Sequence, residues 1–516
     1  MHYRADDVRR LASEFARFGE VVAGSEKEHH LLEVVRSLVE DYADKIVEEP
    51  VPVTTWREEL CTIEAGGKIY NCSIQPPYNG YIDAEFSPSQ AVVVSLYDLR
   101  RGRIGKNTIY GRVVVVDVPR NPDDIADAAI ELLSMEPSLI IFSDPVDSLR
   151  RIVVLDKLIE LYEYAAPPKT PVITVPRSSV RELLSNDAVR VLGSSIARES
   201  YGYNLVAWRF GGGDNSLYIA AHHDHWFQGA SDDVLGVAIA VELFRKPPTM
   251  WLSRHGIALA LFTAEEGFPE KMNSFYWLVG SRHFVSKHFN ELVEELLALV
   301  NIDVVCCERV KIASSNPWML ATLHDVAPTE LDSIFFDSFS FTQAGLPALT
   351  LHALEDALHS GIYHTSIDTV DRVSIDTIER FLDIVTQVVK SILELKSISL
   401  SDVEHVLVEK IIRCGGTNIN VAEALYSLFK TLERCSDVEA LRRVLNLFTR
   451  IATKVFAVPD VETGIGVIEK TLLLSCPVKG YAIPVLPNLS SVNECFEIHK
   501  LNLSLVRDIL SEACRK

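Results

Sequence analysis

The chain has 516 residues, of which 48% are hydrophobic and 23% are charged, and its formal net charge is −21. This composition is typical of globular proteins and excludes a largely disordered chain. The length exceeds what one hydrophobic core supports and favours about three domains. Because nucleic acid and anionic membranes bind basic surfaces, the acidic excess argues against both as partners.

The N-terminus and the cysteines indicate a compartment. Residues 1–7 lack the apolar core of a signal peptide, and no uninterrupted run of about 18 apolar residues follows them. The nine cysteines include no Cys-x-x-Cys pair, so the sequence indicates neither a structural zinc knot nor a disulfide framework. We therefore expect a cytoplasmic protein.

The N-terminal region, up to about residue 45, is expected to be helical. Apolar side chains recur at helical spacing over residues 26–47, and Gly24-Ser25 before them is a suitable helix start. Residues 52–190 have a different character, with short β-like runs around one helical stretch. The runs are 91–96, 112–117, 139–142 and 171–176.

Residues 191–395 contain continuous apolar runs that are typical of buried parallel strands. In open α/β sheets, ligands bind beyond the carboxyl ends of such strands. Imidazole or carboxylate side chains follow each run. They are His222 and Asp224 with Asp232 shortly after, Glu265 and Glu266, Asp303, and finally Tyr363 with His364.

These residue types suit zinc. Zinc binds imidazole nitrogen and carboxylate oxygen, and a catalytic site leaves one position open for water. Two zinc ions about 3.5–4 Å apart can share one carboxylate. Two histidines and three carboxylates would give each ion two terminal ligands and leave one bridge. One residue of the pair Glu265-Glu266 would then remain to take a proton from water.

At these positions the chain resembles the dinuclear zinc aminopeptidase family of the bacterial leucyl aminopeptidase type. This family also contains glutamate carboxypeptidase II and the transferrin receptor ectodomain. Its pattern is His-x-Asp, Gly-Ala-x-Asp, Glu-Glu, Asn-x-Asp and Tyr-His-Thr. The chain matches it at 222–224, 229–232, 265–266, 301–303 and 363–365. The resemblance implies an α/β zinc exopeptidase fold, with a mostly parallel central sheet flanked by helices.

The resemblance also implies two zinc ions per chain. By that resemblance, His222 and Asp303 would hold one ion, and Glu266 and His364 would hold the other. Asp232 would bridge the two. These positions are occupied by suitable ligand types throughout.

Three further residues have roles by the same resemblance. Glu265 would be the general base, and Tyr363 would stabilise the oxyanion that forms on the scissile carbonyl. Asp224 would accept the free ring N–H of His222 and so fix its tautomer.

The chain departs from the family pattern near the bridging position. Residues 233–236 read Asp-Val-Leu-Gly where Asn-x-Ser-Gly is usual, a difference that affects packing and substrate fit but no ligand position. His223 and His225 flank the first ligand, and we expect His225 to face solvent or line the cleft. His359 is given the same interpretation.

The order of segments resembles the carboxypeptidase and receptor branch of the family. Residues 111–116 and 170–175, with a helix and a strand between them, look like a protease-associated domain. We expect a peptidase domain at 1–51 and 191–395, the inserted β-rich domain at 52–190 and a helical domain at 396–516. In that branch the last domain mediates dimerisation, which predicts a homodimer here. Because both ends of the insertion adjoin the sheet, we predict that it packs over the mouth of the site.

The leading functional hypothesis is a soluble aminopeptidase that acts on peptide substrates. A carboxypeptidase needs cationic donors for the substrate carboxylate, and between Asp303 and His364 the chain has only Arg309 and Lys311. The neighbouring carboxylates Glu355-Asp356 would attract a free α-amine. A carboxypeptidase of the same family remains an alternative.

Two other classes stay open. Residues 265–268 and 278–284 are similar to glutaminyl cyclases, which share the fold and use one zinc ion, so the number of metals per chain would discriminate. An inactive receptor-like scaffold is the third hypothesis. Such a scaffold would be free to lose ligands, yet all five are present.

Overall fold

The computed structural model describes residues 3–119, 121–122, 124–157 and 164–413, together with residues 430, 438, 441–443, 445–446 and 449. Most of the predicted helical domain at 396–516 therefore lies outside the described residues. In the described part of the chain, no helix is both long enough and apolar enough to cross a membrane.

The described helices and strands alternate along most of the chain. The helices are α1 Ala5–Phe15, α2 Glu26–Val39, α3 Leu96–Arg100, α4 Lys106–Ile109, α5 Asp124–Leu133, α6 Arg177–Leu183, α7 Leu235–Arg245, α8 Thr249–Leu252, α9 Val279–Glu295, α10 Pro317–Leu323, α11 Ser338–Ala344, α12 Leu354–Ser360, α13 Ile375–Leu393 and α14 Leu400–Arg413. The strands are β1 Lys45–Ala65, β2 Lys68–Asn71, β3 Ser73–Ile74, β4 Gly80–Phe86, β5 Ala91–Val94, β6 Val113–Asp117, β7 Leu139–Asp144, β8 Val172–Pro176, β9 Val189–Arg209, β10 Ser216–His222, β11 Gly256–Phe262, β12 Phe268–Pro269, β13 Leu296–Ile302, β14 Lys311–Ala313, β15 Thr329–Glu330 and β16 Ala348–His352.

The main sheet is parallel at its centre and mixed towards its edges. Its strand order is β12-β1-β9-β11-β10-β13-β16-β14-β15, with β2 paired to β1 and β4 paired to β9. The four strands β11, β10, β13 and β16 run parallel. On either side of them, β9 and β14 pair antiparallel. The predicted mostly parallel sheet therefore describes the centre, which is the part that carries the site.

The central strands are buried on both faces. Leu217 and Ile219 of β10 pack in one core cluster with residues of α1, α2, α7 and α13. Tyr218 and Ala220 point to the opposite face, where they pack with Phe284 of α9 and Phe341 of α11. This two-sided burial explains why the strand sequences are continuously apolar rather than alternating.

A second sheet of five strands has the order β3-β8-β7-β6-β5. One face packs on α5, where Val114 and Ile140 share a cluster with Ala129. The other face packs on the distal parts of β1 and β9, where Ile141 shares a cluster with Ile63. The inserted region thus has its own sheet, and that sheet packs against strands β1 and β9 of the main sheet.

Strands β1 and β9 link the two sheets. They are 21 residues each and pair antiparallel from Lys45 opposite Trp208 to Ala65 opposite Val189, with one register shift near Glu58. The boundaries expected at 51/52 and 190/191 fall inside these strands, because apolar alternation alone gave no sign that the strands continue.

Among the described residues there are two disulfides, which the cysteine spacing did not indicate. Cys61 of β1 is bonded to Cys72, which follows the neighbouring strand β2, and Cys306 is bonded to Cys307. The first pairing depends on the register of the β1–β2 hairpin, which sequence spacing does not show.

Candidate active site

The ends of the four central strands bring the candidate ligands together. His222 is the last residue of β10 and lies opposite Phe262, where β11 ends. Glu265 and Glu266 follow β11, and Asp303 follows β13 directly. His364 comes after α12, beyond the end of β16. Because parallel strands end at one edge of a sheet, these side chains converge there.

Asp232 lies between the two histidines. Its Oδ1 is 3.0 Å from His222 Nε2, and its Oδ2 is 3.3 Å from His364 Nε2. His222 Nε2 is also 3.6 Å from Asp303 Oδ1, and His364 Nε2 is 2.5 Å from Glu266 Oε1. One carboxylate therefore faces both halves of the site, which is the arrangement a bridging ligand requires.

Donor atoms form two groups that are compact enough to hold a metal ion. Asp232, Glu266 and His364 form one group, whose ligand atoms lie within 4.8 Å of one another. The other group consists of His222 and Asp303 with Asp233, a residue that the sequence did not suggest as a donor. Both carboxylate oxygens of Asp233 are buried without a hydrogen-bond partner.

The charges of the site favour cations. Five buried or nearly buried carboxylates surround two imidazoles, and none of the described residues that line the cavity is lysine or arginine. Buried carboxylates are costly unless they are paired or coordinate a metal. The donor set of histidines and carboxylates fits zinc. The five carboxylates are Asp232, Asp233, Glu265, Glu266 and Asp303.

The pKa values show the same crowding. Burial raises the pKa of Glu265 well above its usual range, and neighbouring Glu266 and Asp303 add to the effect. Burial works against a charged His364, yet Glu266 and Asp232 raise its pKa to about 10. Each histidine is thus drawn towards its positive form by carboxylates that a divalent cation would otherwise neutralise.

Asp224 acts differently from the sequence expectation. The Nδ1 of His222 lies 2.9 Å from the backbone carbonyl of Asp224 and 3.9 Å from its carboxylate, so the carbonyl accepts the ring N–H. The carboxylate instead accepts the backbone N–H groups of Glu265 at 3.0 Å and Glu266 at 3.2 Å. The expected acceptor was wrong, because two adjacent backbone donors occupy the carboxylate. Asp224 therefore orients the Glu265-Glu266 turn.

Trp226 contacts a candidate ligand and was missed from the sequence. Its indole Nε1 donates to Glu266 Oε2 at 3.0 Å, while Glu266 Oε1 faces His364. The spacing His-x-Asp-x-Trp at 222–226 places the indole two residues beyond Asp224, and this pattern was the available signal.

Glu28 of α2 was also missed. Its Oε1 is 3.0 Å from His223 Nε2 and accepts from the Thr263 hydroxyl, and its Oε2 accepts from Gly24 N at 2.7 Å. This buried carboxylate ties the ends of β10 and β11 to the first turn of α2. Its contacts with His223 and Thr263 join residues 195 and 235 positions apart, so local sequence does not predict them.

The outlying histidines are not candidate ligands. His225 is buried rather than solvent-facing, and its backbone N–H donates to Val21 at 2.7 Å. Burial and the neighbouring His222 lower its pKa to about 3. His223 is committed to Glu28, and His359 is exposed at the surface of α12.

The substrate side of the cavity is aromatic and apolar. Tyr363 lines it, and the Tyr363 ring is stacked on His364 with ring centroids 3.7 Å apart. Residues 126, 152 and 153 of the inserted region line part of this cavity. The other apolar or aromatic lining residues are Ala126, Ile152 and Val153 from the insertion, with Tyr276, Trp277, Val304, Phe335, Phe336 and Leu354.

Glu355 and Asp356 do not have the expected role. Glu355 is bonded to Lys311 Nζ at 2.8 Å, and Asp356 is paired with Arg309. Neither is among the residues that line the cavity. Their charges are already paired, so they are not available for the role that the sequence suggested.

Residues 204–389 match Peptidase family M28. This part of the chain is similar to that family. The M28 match contains all eight residues singled out from the sequence, and it stops short of the inserted region.

Solved structures agree with the M28 fold. An aminopeptidase from Aneurinibacillus sp. strain AM-1 is 16% identical and covers 77% of this chain and 96% of its own, with a TM-score of 0.51. A zinc aminopeptidase from Bacillus subtilis is 14% identical over 75% of this chain and 95% of its own, with a TM-score of 0.56. An M28 peptidase precursor from Shewanella amazonensis is 17% identical over 77% and 97%, with a TM-score of 0.57.

A curated relative matches over a shorter stretch. It is the mouse protein "Aminopeptidase NAALADL1", which is 29% identical over 96 residues. The matched stretch is 18% of this chain and spans 12% of that relative.

Proposed function

We propose that this protein is a zinc-dependent aminopeptidase that removes the N-terminal residue from peptides. The observation that carries the proposal is the position of Asp232, with one carboxylate oxygen towards His222 and the other towards His364. A shared carboxylate between two histidine-containing halves is the hallmark of a dinuclear hydrolytic site. The M28 match supports the same reaction class.

In this proposal two zinc ions bind per chain. His222 and Asp303 hold one, Glu266 and His364 hold the other, and Asp232 is shared. Zinc in such a site supplies Lewis-acid polarisation of the scissile carbonyl and makes a water molecule more acidic.

Glu265 would take the proton from the attacking water and pass it to the leaving amine. The residue is only 6% exposed, and its backbone N–H donates to Asp224, which holds the turn that carries the side chain. Tyr363 would donate to the oxyanion from the cavity wall.

The same cavity argues against the carboxypeptidase alternative. None of its described lining residues is lysine or arginine, and Arg309 and Lys311 are engaged by Asp356, Glu355 and Glu330. A buried substrate carboxylate would therefore find no cationic partner among these residues.

A substrate panel tests the proposal. Amino-acyl p-nitroanilides and short peptides should be hydrolysed from the free N-terminus, N-acetylated versions should resist, and a chelator should abolish activity until zinc is restored. Metal analysis should give two zinc ions per chain. Cyclisation of N-terminal glutamine with one zinc ion would instead favour a glutaminyl cyclase, and zinc binding with no turnover would favour a receptor-like scaffold.

We also propose that peptides are substrates, that neither nucleic acid nor a membrane is a partner, that the location is cytoplasmic, and that a homodimer forms through residues 396–516. The acidic charge of −21 supports the exclusion of nucleic acid and anionic membranes. The Cys61–Cys72 and Cys306–Cys307 disulfides count against a cytoplasmic location, because disulfides persist mainly in oxidising environments. Thiol titration of the native protein from its own cells tests the location, and light scattering of the full chain tests the dimer.

A further inference from the structure

His364 has a backbone conformation that needs outside support. Its φ is +56°, in the left-handed region that residues other than glycine rarely adopt. It belongs to the histidine loop, residues 361–366, which begins where α12 ends at Ser360. Such conformations persist only where the surrounding contacts hold them.

Part of that support is a short antiparallel pairing with the docking segment, residues 149–151, of the inserted region. Arg151 N donates to the His364 carbonyl at 3.0 Å, and Ser366 N donates to the Leu149 carbonyl at 2.9 Å. Arg150 pairs with Thr365 in the same bridge. The backbone on both sides of the candidate ligand is therefore tied to the insertion.

The Arg150 side chain makes further hydrogen bonds to the histidine loop. Its guanidinium donates to the carbonyl of Gly361 through Nη2 at 2.9 Å and to the carbonyl of Tyr363 through Nη1. Its Nε donates to Asp144 Oδ2 at 2.5 Å, and the residue is 1% exposed. A guanidinium presents its donors in a rigid fork, so three acceptors fix its orientation.

Arg150 is itself firmly placed. Its carbonyl accepts from the Thr174 hydroxyl at 2.7 Å and from Gln75 Nε2 at 3.0 Å. Thr174 lies on β8 and Gln75 follows β3, so the second sheet holds the arginine from behind. The contacts run from that sheet through Arg150 to the loop that carries His364.

We propose that Arg150 is a positioning residue that holds Tyr363 and His364 in their working places, so that the inserted region completes the metal site. Arg150 itself contacts only backbone carbonyls and Asp144 through its guanidinium, and it lies behind the histidine loop. This inference rests on the proposed function for the roles of Tyr363 and His364. It adds that the site depends on a residue outside the M28 match.

The test uses the full chain with Arg150→Met, which keeps length and removes the donors, and Arg150→Lys, which keeps one charged donor. Zinc affinity is measured by competition with a chelator. Partners that orient metal ligands typically contribute about 10–100-fold in affinity. Arg150→Met should therefore lower the affinity for the zinc ion at Glu266 and His364 by about that factor. Arg150→Lys should give an intermediate loss. Arg190→Met, which breaks an exposed pair with Asp83, is the control and should change neither ion.

Hydrogen exchange separates positioning from general destabilisation. In Arg150→Met, the amides of Arg151 and Ser366 should exchange faster, while those of the central strands should not. kcat should fall more than KM rises, because the reacting groups move rather than the substrate surface. If Arg150→Met fails to fold, the zinc affinities of Arg150→Lys and Asp144→Asn test the inference instead. Two unchanged zinc affinities in the folded variants would overturn the inference.

The outcome is separable from the proposed function. Zinc affinity and hydrogen exchange need no substrate. If the wild-type protein binds two zinc ions and cleaves none of the peptides, but Arg150→Met still loses one ion, the aminopeptidase proposal fails and the role of Arg150 stands.

Discussion

Glu265 and Glu266 are sequence neighbours whose side chains face different partners. Glu266 Oε1 lies against His364, whereas Glu265 follows the same strand end and interacts electrostatically with His222. We expect Glu266→Gln to reduce zinc content, because an amide is a poorer ligand. Glu265→Gln should keep both ions but lower kcat by about 10²–10⁴-fold.

The measurement is metal analysis together with steady-state kinetics on one amino-acyl substrate. Glu270→Gln, a change in the same region that touches no candidate ligand, is the control. Near-normal turnover of Glu265→Gln with both ions bound would remove Glu265 from the role of base.

Trp226 offers a second residue-level prediction. Trp226→Phe keeps the aromatic ring but removes the N–H that holds Glu266 Oε2. Zinc affinity at the Glu266–His364 half should fall by about tenfold or more, since a ligand carboxylate loses its orienting partner. Trp208→Phe is the matched control, because its indole donates to Tyr218, away from the site. Equal affinities in the two variants would contradict the role.

At the scale of elements, α2 is attached to the strand ends through Glu28. Replacing Glu28 with Gln leaves an amide facing the Gly24 N–H, His223 and Thr263, so at least one buried group loses its partner. We expect the free energy of unfolding to fall by about 1–3 kcal/mol. Glu33→Gln on the exposed side of the same helix should cost far less. Chemical denaturation of the two variants makes the comparison.

Helix α11 is anchored by a buried carboxyl group. Asp332 accepts from Ser338 Oγ at 2.7 Å and Thr342 Oγ1 at 2.6 Å, and burial raises its pKa to about 7. The unfolded chain releases this proton at lower pH, so the contribution of Asp332 to stability is full below about pH 4 and is lost as pH rises through about 7.

The corresponding test is Asp332→Asn, which replaces the titrating carboxyl group by an amide that does not titrate. The unfolding free energy of the variant minus that of the wild type should increase between about pH 5 and pH 8. Denaturation curves at both pH values measure it. A difference that stays constant or decreases would show that Asp332 does not titrate in this range.

Across the whole molecule, local sequence patterns predicted the candidate ligands at the strand ends. They did not predict side-chain contacts between elements that are distant in the sequence. The runs before His222 and Asp303 are continuously apolar because both sheet faces are covered, and this marked the edge where ligands gather. Glu28, Trp226 and Arg150 act on the same site through partners 40 to 235 residues away. Periodicity carries no information about such contacts.

The two sheets should unfold together. They share β1 and β9, and the docking segment fastens the insertion to the histidine loop. Differential scanning calorimetry of the zinc-loaded chain should show one transition for these parts rather than two. Limited proteolysis should likewise release no stable fragment that corresponds to residues 66–188. A separate early transition removed by cutting out that fragment would contradict the expectation.

The paired strands β1 and β9 also constrain movement at the mouth of the cavity. An insertion joined by flexible loops can rotate about a hinge. Here both connections are strands of 21 residues each, β1 and β9, which are hydrogen-bonded to each other. A ribbon of this kind twists more readily than it folds over. Substrates would therefore enter through an opening of nearly constant width, and the largest peptide end accepted would be set by the shape of the opening rather than by a closing motion.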